Sequence, residues 1–141
     1  MPGKTISQLS IGEAGSASRT ITEGDVYLFG GIIGDLNPLH TNEVAAKEGL
    51  FGKRVAHGML TASLLSGVLA QKLPGDGTIF LGLQVKFLKP VYFGETVTAR
   101  VEVKELRTEK NIAIFACQCT NQDGVTVLTG EATVMPPKKA S

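Results

Sequence analysis

The sequence predicts an α+β domain in which an antiparallel sheet wraps one apolar helix. Three observations carry this. Apolar residues recur at helical spacing up to about Pro74, and beyond it the period shortens to two. One run of the first half, "MLTASLLSGVLAQKL" (59–73), is apolar on nearly every face. A helix of that kind is expected to be buried all round, so the strands that follow have something to cover.

The elements follow in order. "SASRTI" (16–21) supplies a first strand. "TITEGDVYLFGGIIGD" (20–35) opens with Thr22 and Asp25, a helix-start signal in which each side chain can satisfy the other's backbone amide. Val26, Leu28, Phe29, Ile32 and Ile33 then mark one apolar face. "TNEVAAKEGLFG" (41–52) reads as a short second helix, capped by Thr41 or Asn42 and closed by Gly49. The apolar helix starts after Ala56-His57-Gly58 and runs towards Pro74. "TIFLGLQVKFLKPVYF" (78–93) is strand-like, with Pro90 favouring an edge or a bulge. In "ETVTARVEVKEL" (95–106), Val97, Ala99, Val101 and Val103 alternate with Thr98, Arg100, Glu102 and Lys104, the pattern of a sheet with one wet face. "NIAIFACQCT" and "VTVLTGEATVM" complete the sheet, joined by a turn over Asn121–Gly124.

The 141 residues suit a single domain, 1–141, without an interdomain linker; only the ends, to about Ser7 and from Pro136, look loose. A formal net charge of +1, with no aromatics interleaved among the basic residues, argues against a nucleic-acid partner. "MPGKTISQLS" lacks the apolar core of a signal peptide, and no run reaches the ~18 residues of a membrane span. Cys117 and Cys119, two apart in a strand, hold their β-carbons beyond the ~3.8 Å of a disulfide. A reduced, cytoplasmic protein with no membrane partner is the expectation.

"GDLNPLH" (34–40) is the stretch with chemistry in it. It sets Asp35 and His40 five residues apart across an Asn-Pro turn, and Pro38 restricts both its own φ and the conformation of Asn37. Taken singly, Asp35 is an ordinary turn residue and His40 an ordinary structural histidine. Together with "AHGM" (56–59) they become more. Gly58 begins the apolar helix, whose first amides lack intrahelical acceptors and suit an oxygen gaining negative charge. A carboxylate, an imidazole and an oxyanion donor form a proton-transfer site, able to activate a water or to remove a proton beside a carbonyl. No Ser or Cys stands as a nucleophile, and His40 and His57 lack the HExxH spacing of a zinc site. The glycines form neither GxGxxG nor a P-loop, so no cofactor is expected.

"GDLNPLH" with Ala46, together with "VAHGMLTASLLSG" (55–67), closely resembles the MaoC-like, R-specific enoyl-CoA hydratases. The hydratase motif G-D-x-N-P-[LIV]-H-x5-[AS] fits at Gly34, Asp35, Asn37, Pro38, Leu39, His40 and Ala46. Similarity continues through "LPGDGTIFLGLQVKFLKPVYFGETVTARVEV" (73–103) and "TGEATV" (129–134), most of the chain. The resemblance implies a hot-dog fold and a homodimer or higher homo-oligomer, with sheets joined edge to edge. It implies reversible syn addition of water to a short- to medium-chain trans-2-enoyl-CoA, such as crotonyl-CoA, giving an (R)-3-hydroxyacyl-CoA. Asp35 and His40 would then be the catalytic pair, Gly58 N–H would hold the thioester carbonyl, and Ser66 would support the Asp35 carboxylate. Asn37 would brace the loop rather than touch substrate. The chain departs from the family at Ile33, where a small or hydroxylated residue is usual.

Several residues carry two readings. Ser66 is also a helix-interior serine able to bond its own carbonyls. Leu69, on the same face one turn on, floors an acyl pocket or is plain core. His57 reads as a dipole-end or hinge residue and not as catalytic. Lys53, Arg54, Lys86 and Lys89 are candidates for CoA phosphates or simply solvated. Two other functions compete: a hot-dog thioesterase, disfavoured because no carboxylate lies on the helix between Gly58 and Ala70, and a non-catalytic acyl-CoA-binding subunit. A carrier-protein substrate would call for a basic rim.

Overall fold

A computed structural model describes residues 2–139. The sheet strands are β1 (Ala14–Thr20), β2 (Ile79–Phe87), β3 (Thr96–Arg107), β4 (Ile112–Thr120) and β5 (Thr126–Met135). All pair antiparallel in the order β1-β3-β4-β5-β2. Between β1 and β2 come α1 (Glu23–Ile33), α2 (Pro38–Thr41), α3 (Glu43–Lys47) and the long α4 (Gly58–Gln71). The alternation in β3 is realised as read: Val97, Ala99, Val101 and Val103 are buried, while Arg100 and Lys104 are exposed. Phe115, Cys117 and Cys119 of β4 and Val127, Ala132 and Val134 of β5 extend that inner face. α4 packs on it through Ala62, Leu65, Val68 and Leu69, so that one core cluster joins helix and sheet. The turn between β4 and β5 has Gly124 at φ 76°, a conformation that disfavours side chains with a β-carbon.

Several expectations change. α4 is buried along one face only, and Met59, Ser63, Ser66 and Gly67 lie open, because the sheet covers one side of the helix. α1 has the full capping box of Thr22 and Asp25. Of its apolar stripe, however, only Val26 is buried, and Leu28, Ile32 and Ile33 are exposed. Its contact with the body runs instead through Val26 and Gly30, one turn apart. The second helix is two pieces. Thr41 closes α2, Asn42 caps α3 by accepting from Ala45 N–H, and Gly49 follows the helix end as expected, though the left-handed glycine nearby is Gly52. Pro90 follows the end of β2 rather than lying within the strand. The ends are tied as well: Pro2 bridges Asp76, and the Asn111 side-chain amide donates to Pro136 O. Met1, Ala140 and Ser141, also assigned to loose ends, lie outside the described residues.

Candidate active site

The turn at 34–40 is fixed from both sides. Gly34 ends α1 at φ 79°, and the amides of Gly34 and Asp35 both donate to Gly30 O, at 2.9 and 3.0 Å. Asn37 N–H donates to Asp35 Oδ1, while Asn37 Oδ1 accepts from Leu39 N–H, capping α2 with Pro38 in its first turn. One turn later His40 is buried, 7% exposed. Its Nδ1 lies 2.6 Å from Val55 O. A carbonyl only accepts, so Nδ1 carries the hydrogen, and the neutral ring keeps a lone pair on Nε2. That Nε2 faces Asp35 Oδ2 at 3.8 Å. The gap exceeds a direct hydrogen bond, yet one water can lie about 2.8 Å from both atoms.

A third side chain joins the pair. His57, 2% exposed, precedes α4 and donates its Nε2–H to Asp35 O at 2.9 Å. Gly58 follows as the first residue of α4, where amides have no acceptor within the helix. A β-carbon at Gly58 would lie 2.8 Å from the Phe87 ring, so glycine lets β2 close over the helix start. These groups line a cavity of about 420 Å³ whose other walls, among them Leu39, Phe51, Met59, Phe87 and Leu128, are mostly apolar. Arg54, next to the cavity-lining Val55, donates to Glu23 and Tyr27 Oη with its guanidinium 4.9 Å from the Phe93 ring.

Asp35, His40 and Gly58 therefore meet at one cavity. Ser66 does not join them: it sits on the exposed face of α4, away from the cavity, and makes no hydrogen bond with Asp35. It lies about 12 Å along the axis beyond Gly58, on the face of α4 that this chain leaves open. Leu69 is core at 1% exposure and does not line the cavity. Asn37 turns into its own loop.

Asp35, His40 and His57 each offer a ligand-type atom within 4.8 Å of the others. His57 Nε2, however, spends its hydrogen on a carbonyl, so in this tautomer it has no lone pair for a metal. The thiols are poor nucleophiles. Burial pushes Cys117 up to about 11 and Cys119 to about 12.

A family profile described as "MaoC like domain" matches residues 9–121. The chain belongs to the MaoC-like family. Among its MaoC-like relatives, the (R)-specific enoyl-CoA hydratase of Rhodospirillum rubrum is 46% identical over 128 residues, covering 91% of this chain and 88% of the relative. A solved (R)-hydratase from Aeromonas caviae is 41% identical with a TM-score of 0.89, covering 92% of this chain and 98% of the other. The unliganded R-hydratase of Pseudomonas aeruginosa gives 36% and 0.91, with coverage of 97% and 88%. The hot-dog fold expected from the sequence is the fold of this MaoC-like chain.

His57 is the site residue that sequence reasoning set aside. The only signal was its place beside Gly58. Its bond to Asp35 spans 22 residues and arises from packing of α1 against the start of α4. Thr61, buried one turn into α4, also lines the cavity, and nothing in the apolar run around it marks it out in the sequence.

Proposed function

We propose that this protein is an (R)-specific enoyl-CoA hydratase, adding water reversibly to trans-2-enoyl-CoA. The observation that carries the reading is the 3.8 Å separation of Asp35 Oδ2 and His40 Nε2 on the wall of a mostly apolar cavity. Both atoms are acceptors. A water between them directs its two hydrogens at them and its lone pairs away, towards the cavity. In the proposed reaction a lone pair of that water forms the C–O bond at Cβ while the double-bond pair moves to Cα and the thioester oxygen. Gly58 N–H stabilises the resulting enolate. The Asp35/His40 pair takes one proton from the water and returns one to Cα on the same face, which is syn addition.

The substrate class we infer is a short- to medium-chain acyl-CoA thioester. A cavity of about 420 Å³ with apolar walls supports it. We also propose a homodimer. β2 is an edge strand, paired among the described residues with β5 alone, and it leaves Ile79, Phe80 and Leu81 exposed; α4 also leaves one face open. Such an edge is a template for another chain. Leu81→Lys should lower the mass seen by light scattering to that of one chain, and an unchanged mass would place the interface elsewhere. A cytoplasmic location is supported by the unpaired Cys117 and Cys119.

The deciding test follows crotonyl-CoA by enoyl absorbance and free thiol in one sample. Loss of absorbance without thiol, with an R product on chiral analysis, is the expected result. Thiol release would put a thioesterase in its place, and silence in both channels would sink hydration of this substrate.

A further inference from the structure

We infer that His57 is a positioning residue for the Asp35/His40 pair, holding the carboxylate-bearing turn by a hydrogen bond and the catalytic imidazole by stacking. The inference rests on the hydratase reading and adds a residue to it. Two contacts meet in this one ring. Its Nε2–H donates to Asp35 O at 2.9 Å, fixing the backbone that carries the carboxylate. Its face lies on the His40 ring, centroids 3.8 Å apart and planes 26° from parallel. His40 is thereby held twice, by Val55 O through Nδ1 and by His57 through its face, which leaves Nε2 no freedom to turn from Asp35.

The surroundings of His57 show that the ring is placed at a cost. Its Nδ1 is buried and has no hydrogen-bond partner among the described residues. An orphaned buried acceptor is unfavourable, so an apolar ring of similar shape would suit the core better if packing were the only demand. Phe29 meets the ring edge-on at 5.3 Å. On its remaining side is Gly30, where a β-carbon would lie 3.2 Å from His57 Cε1 and 2.8 Å from Asp35 O. Position 30 is empty of side chain where the histidine and the Asp35 carbonyl meet.

A group that only positions should alter the chemical step and not substrate capture. Misplacing reacting groups by about 1 Å costs about 10²-fold. His57→Phe keeps the ring and removes the donor, and is expected to lower kcat on crotonyl-CoA by about 10- to 100-fold. KM should stay within about twofold, since uniform binding is untouched. His57→Gln restores an N–H near the same place and should recover most of the lost kcat. Should His57→Phe fail to fold, Gly30→Ala carries the test, because its methyl group presses between the Asp35 carbonyl and the His57 ring and disturbs their hydrogen bond while keeping every atom of both; the same fall in kcat at constant KM is expected.

Wild-type kcat in folded His57→Phe, or in Gly30→Ala when that variant carries the test, would overturn the inference. So would a KM rise that accounts for the whole loss, or a His57→Gln variant as slow as His57→Phe. Wild-type protein that hydrates crotonyl-CoA while these variants match it would fail the positioning role alone. Wild-type protein that is silent would take the hydratase reading and this inference down together.

Discussion

The sheet and the segment from Ile21 to Gly58 are built on opposite terms. In β3, β4 and β5 the inner positions are buried almost without exception, and each strand is held by a ladder along its length. Between Ile21 and Gly58 the helices are short, Leu28, Ile32, Leu36 and Val44 face outwards, and single hydrogen bonds set the course of the chain. Yet Asp35, His40, His57 and Gly58 all come from this second region. The sheet contributes apolar wall, Phe87 and Leu128 among it. On the proposed mechanism stability and chemistry are carried by different parts of the molecule, and substitutions should separate them.

The sharpest separation is expected at Asp35. Its carboxylate accepts one local backbone bond and is half exposed, so Asp35→Asn should lower kcat by about 10²- to 10⁴-fold while moving the melting temperature only slightly. A fully active Asp35→Asn would break the division at its centre. Phe115→Ala is the converse case. The ring is fully buried and does not line the cavity, so its loss should cost about 3–5 kcal/mol in chemical denaturation while the folded fraction keeps its kcat.

A smaller effect tests the cavity wall. Ile33 lines it, and Ile33→Ser should shift kcat/KM towards longer enoyl chains by about tenfold, read from a series of chain lengths. An unchanged profile would take Ile33 out of substrate selection.

The smallest effect lies at the start of α1. Asp25 accepts from the Thr22 amide and pairs with Arg19, whose hydrogen bond is the main cause that lowers its pKa from 3.8 to about 2. A depressed carboxylate stabilises the fold above its unfolded value. That contribution fades as pH falls from about 4 towards 2. The pair is at the surface, so solvent screening keeps its worth small. Asp25→Asn should therefore flatten stability against pH in that window, and a slope equal to wild type would show the pair idle.

The sheet was legible because period-two burial is a local property: once Val97, Ala99, Val101 and Val103 face inwards, their neighbours must face out. The Asp35/His40 spacing was legible for a like reason, since Pro38 constrains the turn that separates them. What local pattern could not supply was which apolar faces find a partner. Ile32 and Ile33 carry the same spacing whether or not anything covers them, and Ser66 looks much like Thr61 until the helix is set on its sheet. Nor does sequence show that the pair is unequal. His40 is buried and bonded to Val55 O, whereas Asp35 is half exposed. His40→Ala would orphan that carbonyl at about 1–3 kcal/mol, a penalty that Asp35→Asn avoids.

Gly30 and Gly31 stand side by side with opposite tolerance for change. A methyl group at Gly30 meets Asp35 O and the His57 ring, while one at Gly31 meets nothing within 4 Å. In a library randomised at both codons, alanine should be purged from the first and enriched at the second, where it improves helix propensity by about 1 kcal/mol. Two identical letters in the sequence would then mark the narrowest and one of the widest gates through which this chain can drift.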